Sequence, residues 1–280
     1  MTTRVHRPED LPDFRYPPLV ETVLSLQFKP LERFSLVHVG LLWHQFRSKF
    51  PLIEEHSPLP VARESFEAAS HGQIEVSIEE RPPVPRVWFL NESETELIQI
   101  QADRFIHNWR KAGNAAIHYP RYEHVRSKFR DEVEDFQQFL SDEKLCQIVI
   151  DQCEVTYVNH IERCDVWQRH GEIQRVLRTW TSLEDSFLPE PEDGRFHQRF
   201  VILSDSGDRV GRLHTSLTPA WTDGEDSPIL VLSLTARGNP VGEGIDGAFD
   251  FLDLGRSWIV KGFADLTTTD MHRVWGRTDA

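Results

Sequence analysis

The chain has little cysteine, and what it has fits no common framework. Among its 280 residues the three cysteines, Cys146, Cys153 and Cys164, follow a C-x6-C-x10-C spacing, which matches no zinc-binding pattern. An odd number of thiols in a chain of this length argues against a disulfide scaffold. Cysteine is also among the most commonly buried residue types. The composition therefore predicts reduced, mostly buried thiols and a cytoplasmic protein.

Positive charge and long hydrophobic runs are also scarce. The 31 Lys+Arg residues are outnumbered by 45 Asp+Glu, for a formal net charge of −14. Such a balance disfavours nucleic-acid binding over the whole surface, because phosphate neutralisation needs a cationic surface, although a local basic groove is compatible with it. The longest apolar runs, such as residues 228–232, fall far short of the roughly 18 residues of a membrane helix. No membrane contact is predicted, and residues 1–18 lack the apolar core of a secretory signal.

What the sequence does contain is hydrophobic periodicity, which predicts an α+β fold. Residues 1–18 read as an irregular arm, and residues 19–144 form a first half. Alternating and helical apolar patterns predict its elements in this order: a strand at 20–28, a helix at 36–50, a strand at 73–79, a hairpin of 86–90 with 97–102, and a long helix from about 122.

Residues 145–280 repeat this order of elements. Their patterns predict the following: a strand at 153–161, a helix at 166–180, a hairpin of 199–203 with 210–218, a strand at 228–236, and a long helix ending near 266. Each half thus reads β-α-β-β-β-α, which we interpret as an internal duplication. The expected architecture is a mainly antiparallel sheet with long helices packed on one face.

Several short segments carry a family resemblance. They are residues 16–21 (YPPLVE), 97–105 (LIQIQADRF), 108–111 (NWRK), 119–122 (YPRY), 157–159 (YVN), 263–267 (FADLT) and 275–276 (WG). With these segments the chain resembles a sporadically distributed bacterial family of uncharacterised proteins. Its most specific block is Gln-x-Gln-x-x-Arg-Phe-x-x-Asn-Trp-Arg-Lys, at residues 99–111. The patchy distribution implies mobile or defence-linked loci and implies no mechanism.

The same block holds the densest group of candidate binding residues. If it forms one strand, Gln99, Gln101, Phe105, His107 and Trp109 point to one side. Amides, aromatic rings and an imidazole together suit a binding wall, and neighbouring arginines suit an anionic group. The predicted ligand-binding residues are Gln99, Gln101, Arg104, Phe105, His107, Asn108, Trp109 and Arg110. A solvent-facing strand surface that ends in a buried tryptophan remains the alternative.

Two further groups are weaker candidates. His118, Tyr119, Tyr122 and His124 surround the start of the first long helix, where an anion could bind, although the segment also reads as a plain helix entry with a proline. In the second half, a group of basic residues could form a local positive surface or pair with acidic neighbours across strands. They are Arg195, His197, Arg199, Arg209, Arg212, His214 and Arg237.

The sequence holds no recognisable nucleophile–base–acid set, and it predicts no cofactor and no metal site. We therefore expect a non-catalytic cytosolic recognition or assembly protein that binds a protein partner or a small ligand. Two alternatives stay open: a hydrolytic or nucleolytic enzyme with His107 or His118 as general base, and a nucleic-acid binder that uses the second-half arginines. Exposed sheet edges could also pair two chains into a dimer.

Overall fold

A computed structural model describes residues 8, 10–66, 84–114, 116–182, 186–222 and 227–278. Nine strands of these residues form one sheet in the order β2-β3-β4-β5-β1-β6-β9-β8-β7, and every neighbouring pair is antiparallel. The strands are β1 (Leu19–Phe28), β2 (Leu52–His56), β3 (Arg86–Leu90), β4 (Glu96–Gln101), β5 (Arg104–Arg110), β6 (Ile150–Glu162), β7 (Phe196–Leu203), β8 (Arg209–Trp221) and β9 (Pro228–Gly238).

Five α-helices and one 3-10 turn complete the described part of the chain. The helices are α1 (Leu36–Phe46), α2 (Tyr122–Asp142), α3 (Ile173–Val176), α4 (Gly244–Leu266) and α5 (Thr269–Val274), and the 3-10 turn spans His170–Glu172. The mixture of helices with an antiparallel sheet confirms the predicted α+β class. No helix among the described residues has the length and apolar character needed to cross a membrane.

Most strongly periodic segments among the described residues form the predicted elements. The strand expected at 73–79 lies outside the described residues. The helix expected at 166–180 is wrong: only the 3-10 turn and the four-residue α3 form there. The chain leaves the helical path at Leu177, which forms a β-bridge with Thr267. Strand β2 was not predicted, because four of its five residues are exposed and its sequence does not alternate in hydrophobicity.

The block that carries the predicted binding residues, taken as one strand in the argument for a binding wall, is two strands. A turn at Ala102 and Asp103 separates β4 from β5, and Gln101 lies opposite Arg104 in the resulting hairpin. Neither turn residue is glycine or asparagine, so the usual sequence signal of a two-residue hairpin is missing. Strand β5 therefore follows the β3–β4 hairpin, just as β9 follows the β7–β8 hairpin in the second half.

The long helices contact the sheet through aromatic rings and through close backbone approach. Helix α2 packs on β5, where Phe105 lies 6.2 Å from Phe129 and 4.8 Å from Phe136 between ring centroids. Helix α4 approaches β9 at Gly255, where an added Cβ would lie 2.9 Å from the Cβ of Ala236. These contacts bury the hydrophobic core between helices and sheet.

The strand register separates this core side from a second, polar side. Residues that lie opposite one another across the strands share a face, and successive residues of a strand alternate between faces. Side chains that alternate with the core residues form what we call the polar face. Its members used below are Glu21, Ser25, Gln27, Arg86, Trp88, Gln99, Gln101, Arg104, Asn108, Arg110, Gln152, Glu154, Arg212, His214 and Arg237.

Candidate functional site

The predicted binding residues divide between the two faces of the sheet. Gln99, Gln101, Arg104, Asn108 and Arg110 lie on the polar face. Phe105, His107 and Trp109 lie on the core face. The expectation of a single wall carrying both groups is wrong, because the turn between β4 and β5 changes which residues share a face.

The three core-face residues hold helix α2 against the sheet. Phe105 stacks on its rings, and His107 Nδ1 lies 2.8 Å from Glu132 Oε2 of α2. The ring of Trp109 lies 5.1 Å from that of Tyr119. His107 is 0% exposed, so it meets no substrate unless the core opens. This burial disfavours His107 as a general base.

On the polar face, a chain of hydrogen bonds runs from β3 to β1. Arg86 Nη1 donates to Gln99 Oε1 (2.9 Å), and Gln99 Nε2 donates to Asn108 Oδ1 (2.7 Å). Asn108 Nδ2 then donates to Glu21 Oε1 (2.7 Å). Each amide thereby fixes the orientation of the next one, while the buried Arg86 Nε has no hydrogen-bond partner among the described residues.

The neighbouring part of the polar face is covered by residues 57–66, which we call the strap. Gln101 makes two hydrogen bonds to Leu59: it accepts from the backbone nitrogen (3.0 Å) and donates to the carbonyl oxygen (3.2 Å). Arg104 Nη2 donates to the carbonyl of Pro60 at 3.0 Å. The strap thus crosses β4 and β5 with its backbone held by side chains of the sheet.

Two more glutamines hold the strap farther along. The backbone nitrogen of Ala62 donates to Gln27 Oε1 of β1 (3.2 Å), and that of Glu64 donates to Gln152 Oε1 of β6 (3.0 Å). Gln27, Gln101 and Gln152 are all at most 5% exposed. Buried amides need hydrogen-bond partners, and the strap backbone supplies them.

Near its end the strap carries Glu64, whose carboxylate is surrounded by three basic side chains. Glu64 accepts hydrogen bonds from Arg212 Nη1 and His214 Nε2, both at 2.6 Å, and its Oε1 lies 3.7 Å from Arg237 Nη1. Burial opposes ionisation of Glu64, but the hydrogen bonds from His214 and Arg212 outweigh it, and the pKa of the carboxyl is lowered. Glu64 is therefore held as a charged anion.

This pairing also involves three of the seven basic residues singled out in the second half. Arg212, His214 and Arg237 do share one face, as a local basic surface requires. However, Glu64 engages all three, and Arg237 Nε also donates to Glu154 Oε2 at 2.6 Å. Sequence reasoning missed Glu64 because one acidic residue in an irregular segment has no local signal of its distant partners.

Comparison with known proteins finds no matching family model and no matching curated protein. The resemblance to a sporadic bacterial family therefore stays a prediction, and the functional argument depends on geometry. Within the residues that the structure describes, no group of three or more His, Cys, Asp or Glu side chains is placed to hold a metal ion. The arrangement on the polar face is one of hydrogen bonding and charge pairing.

Proposed function

We propose that this protein is a non-catalytic recognition protein whose polar face binds an extended, acidic peptide segment of a protein partner. One observation carries the proposal: the protein's own strap lies on that face, held by glutamine amides along its backbone and by Arg212, His214 and Arg237 around Glu64. A partner segment of the same chemistry would take the place of the strap.

The contacts to the backbone explain how such a face could accept different sequences. Gln101 bonds to both polar backbone groups of Leu59, as a neighbouring β-strand would. Backbone hydrogen bonds supply affinity without reading side chains, whereas a side-chain pocket supplies specificity. Here the cluster around Glu64 is that pocket, and it selects a carboxylate.

The residues predicted from the sequence take different parts in this proposal. Gln101 and Arg104 contact the bound backbone directly. Gln99 and Asn108 orient neighbouring side chains. Arg110, whose Nε donates to the carbonyl of Glu94 at 2.8 Å, lies at the far end of β5. The core-face members of the set, Phe105, His107 and Trp109, support the sheet from behind.

A peptide supplied in trans tests the proposal. We would label a synthetic peptide of residues 57–66 (SPLPVARESF) and measure fluorescence anisotropy against the full-length Glu64→Ala protein, whose own strap is held more weakly. The peptide should bind this variant more tightly than it binds the wild type, because in the wild type a tethered competitor occupies the face. A peptide with alanine in place of its glutamate should bind at least about tenfold more weakly.

Two controls make the result specific. Adding Gln101→Ala to the Glu64→Ala protein should weaken binding, since two backbone hydrogen bonds are lost. Adding Gln138→Ala should not, since Gln138 bonds to Asp142 on the exposed side of α2. No binding to the Glu64→Ala protein, or equal binding of the two peptides, would refute the proposed function.

The arrangement of strands supports a second proposal, that the two halves arose by duplication. They meet at the antiparallel β1–β6 pair, and the orders β1-β5-β4-β3 and β6-β9-β8-β7 follow the same path outward. Each half also contributes one long helix that contacts strands of the same half. Helix α2 contacts β5, the last strand of the first half, and α4 contacts β6 and β9, the first and last strands of the second half. In register, Leu24 lies opposite both His107 and Val155, which supports the prediction that both long helices pack on one face of the sheet.

We also propose the cytoplasmic location that the cysteine content indicates. Cys146, Cys153 and Cys164 are all free thiols, of which Cys153 is buried and Cys146 exposed. An exposed free thiol is maintained most readily in a reducing compartment.

A further inference from the structure

A cleft of about 530 Å³ lies at one end of the two central strands, away from the strap. Its walls come from the start of β1, the end of β6, the segment before α2, and the region around α5. Its lining includes Arg15, Tyr16, Lys111, His118, Tyr119, Arg121, His160, Glu162, Arg163 and Trp275. A cleft of this volume is in the range of small-molecule sites, about 300–1,000 Å³.

The charge of the cleft is opposite to that of the protein. Four of its lining residues, Arg15, Lys111, Arg121 and Arg163, are cationic, and Glu162 is the only carboxylate among the described residues that line it. The whole chain, by contrast, has a formal net charge of −14. A concave surface lined by one sign of charge concentrates ligands of the other sign.

Three of the four cations of the cleft are also left uncompensated, unlike those of the polar face. The side chains of Arg15, Lys111 and Arg163 make no hydrogen bond or ion pair within the described part of the chain. Arg121 Nη1 contacts Asp13 Oδ1 at 2.8 Å and remains 48% exposed. An anion that entered the cleft would find at least three free cationic groups.

Polar and aromatic groups complete the lining. His160 is half-buried, and burial lowers the pKa of its imidazole, so the ring stays largely neutral at pH 7. The hydroxyls of Tyr119 and Tyr157 share a hydrogen bond of 2.9 Å, which fixes the Tyr119 ring in the wall of the cleft. Tyr16 is 66% exposed at the rim. The cleft thus offers flat apolar surfaces beside its cations.

We propose that this cleft binds a phosphorylated small molecule of nucleotide size. Several separated cations suit a multiply charged anion better than they suit a single carboxylate. Each guanidinium group can also donate two parallel hydrogen bonds to phosphate oxygens. The exposed Tyr16 ring and the Tyr119 wall suit a planar organic part. The inference is independent of the peptide site, since none of the cleft residues contacts the strap.

Calorimetric titration with ATP, inorganic pyrophosphate and adenosine tests this inference in phosphate-free buffer. ATP should bind more tightly than pyrophosphate, and adenosine most weakly. Arg163→Gln and Lys111→Gln should each lower the affinity for ATP by about tenfold or more, because each removes a charge-assisted contact. Arg209→Gln is the matched control: it removes a positive charge at the start of β8, outside the cleft, and should leave the affinity unchanged.

Three outcomes would overturn the proposal. One is that wild-type protein binds neither ATP nor pyrophosphate at about 1 mM. Another is that Arg163→Gln and Lys111→Gln, with unchanged thermal unfolding, bind ATP as the Arg209→Gln control does. The third is that a short single-stranded oligonucleotide binds more tightly than ATP at the same residues, which would identify a nucleic-acid backbone as the source of the phosphate.

Discussion

Replacing Glu64 with glutamine should release the strap from the polar face without unfolding the sheet. The carboxylate is 6% exposed and accepts two hydrogen bonds of 2.6 Å, from Arg212 and His214. Hydrogen bonds to charged groups contribute about 1.5–3 kcal/mol each, against about 0.5–1.5 kcal/mol for neutral pairs. A glutamine keeps the shape, yet it carries no charge, so Arg212 and His214 lose their carboxylate partner, while Arg237 keeps its pairing with Glu154. We therefore expect strap opening to become easier by about 2–4 kcal/mol.

Amide hydrogen exchange measures this opening directly. The backbone nitrogens of Leu59, Ala62 and Glu64 donate to glutamine side chains, so they exchange only when the strap lifts. In the Glu64→Gln protein their exchange should be about 30- to 1,000-fold faster, since each 1.4 kcal/mol is a factor of ten. Amides within β4 should keep their wild-type rates. As a control, Glu134→Gln breaks an exposed ion pair with Arg130 on α2 and should change nothing at the strap.

The lowered pKa of Glu64 also fixes the sign of a pH dependence. Because the pKa of Glu64 is lowered in the folded protein, its contribution is complete above the ordinary value of 4.5 and is lost as the pH falls through the lower, folded value. Corrected for intrinsic rates, strap protection in the wild type should decline below about pH 4.5, and the Glu64→Gln protein should lack this decline. Unchanged exchange at Ala62 in the variant would show that the carboxylate does not hold the strap.

Three other predictions concern the core, a helix and the thiols. Glu132→Leu should lower the free energy of unfolding by about 3–5 kcal/mol, because it leaves His107 buried without its partner. Adding His107→Phe should restore part of this loss, as measured by urea unfolding. If stability does not recover, the pairing of His107 with Glu132 is contradicted. Gly40→Ala should raise stability by about 0.5–1 kcal/mol, since the position is helical and an added Cβ meets nothing within 4 Å; a lower urea midpoint would argue against this geometry. Iodoacetamide should modify the exposed Cys146 and spare Cys153, whose thiol pKa is raised strongly by burial. Equal labelling of the two thiols in the folded protein, measured by mass spectrometry, would contradict the burial of Cys153.

Local patterns in the sequence determined the class of the protein and most of its long elements. Helix α2 was visible because Val125, Phe129, Val133 and Phe136 repeat at helical spacing, and all four are buried. Strand β6 was visible because its buried residues alternate. Such periodicity arises within a single element, since one face of a helix or strand must meet the core whatever lies on the other side of it.

The tertiary structure alone decided which of these elements adjoin and which side chains meet. Because of the turn at Ala102 and Asp103, the residues of β5 lie on the opposite faces from those expected of one continuous strand. The hydrogen-bonding amides therefore lie on the polar face and the aromatic rings on the core face. Glu64 meets Arg212 and His214, which lie 148 and 150 residues farther along the chain. No local sequence pattern predicts these contacts, because a hydrogen bond or an ion pair depends on which distant side chains the sheet register brings together. The sites proposed here exist only once nine strands have been set side by side.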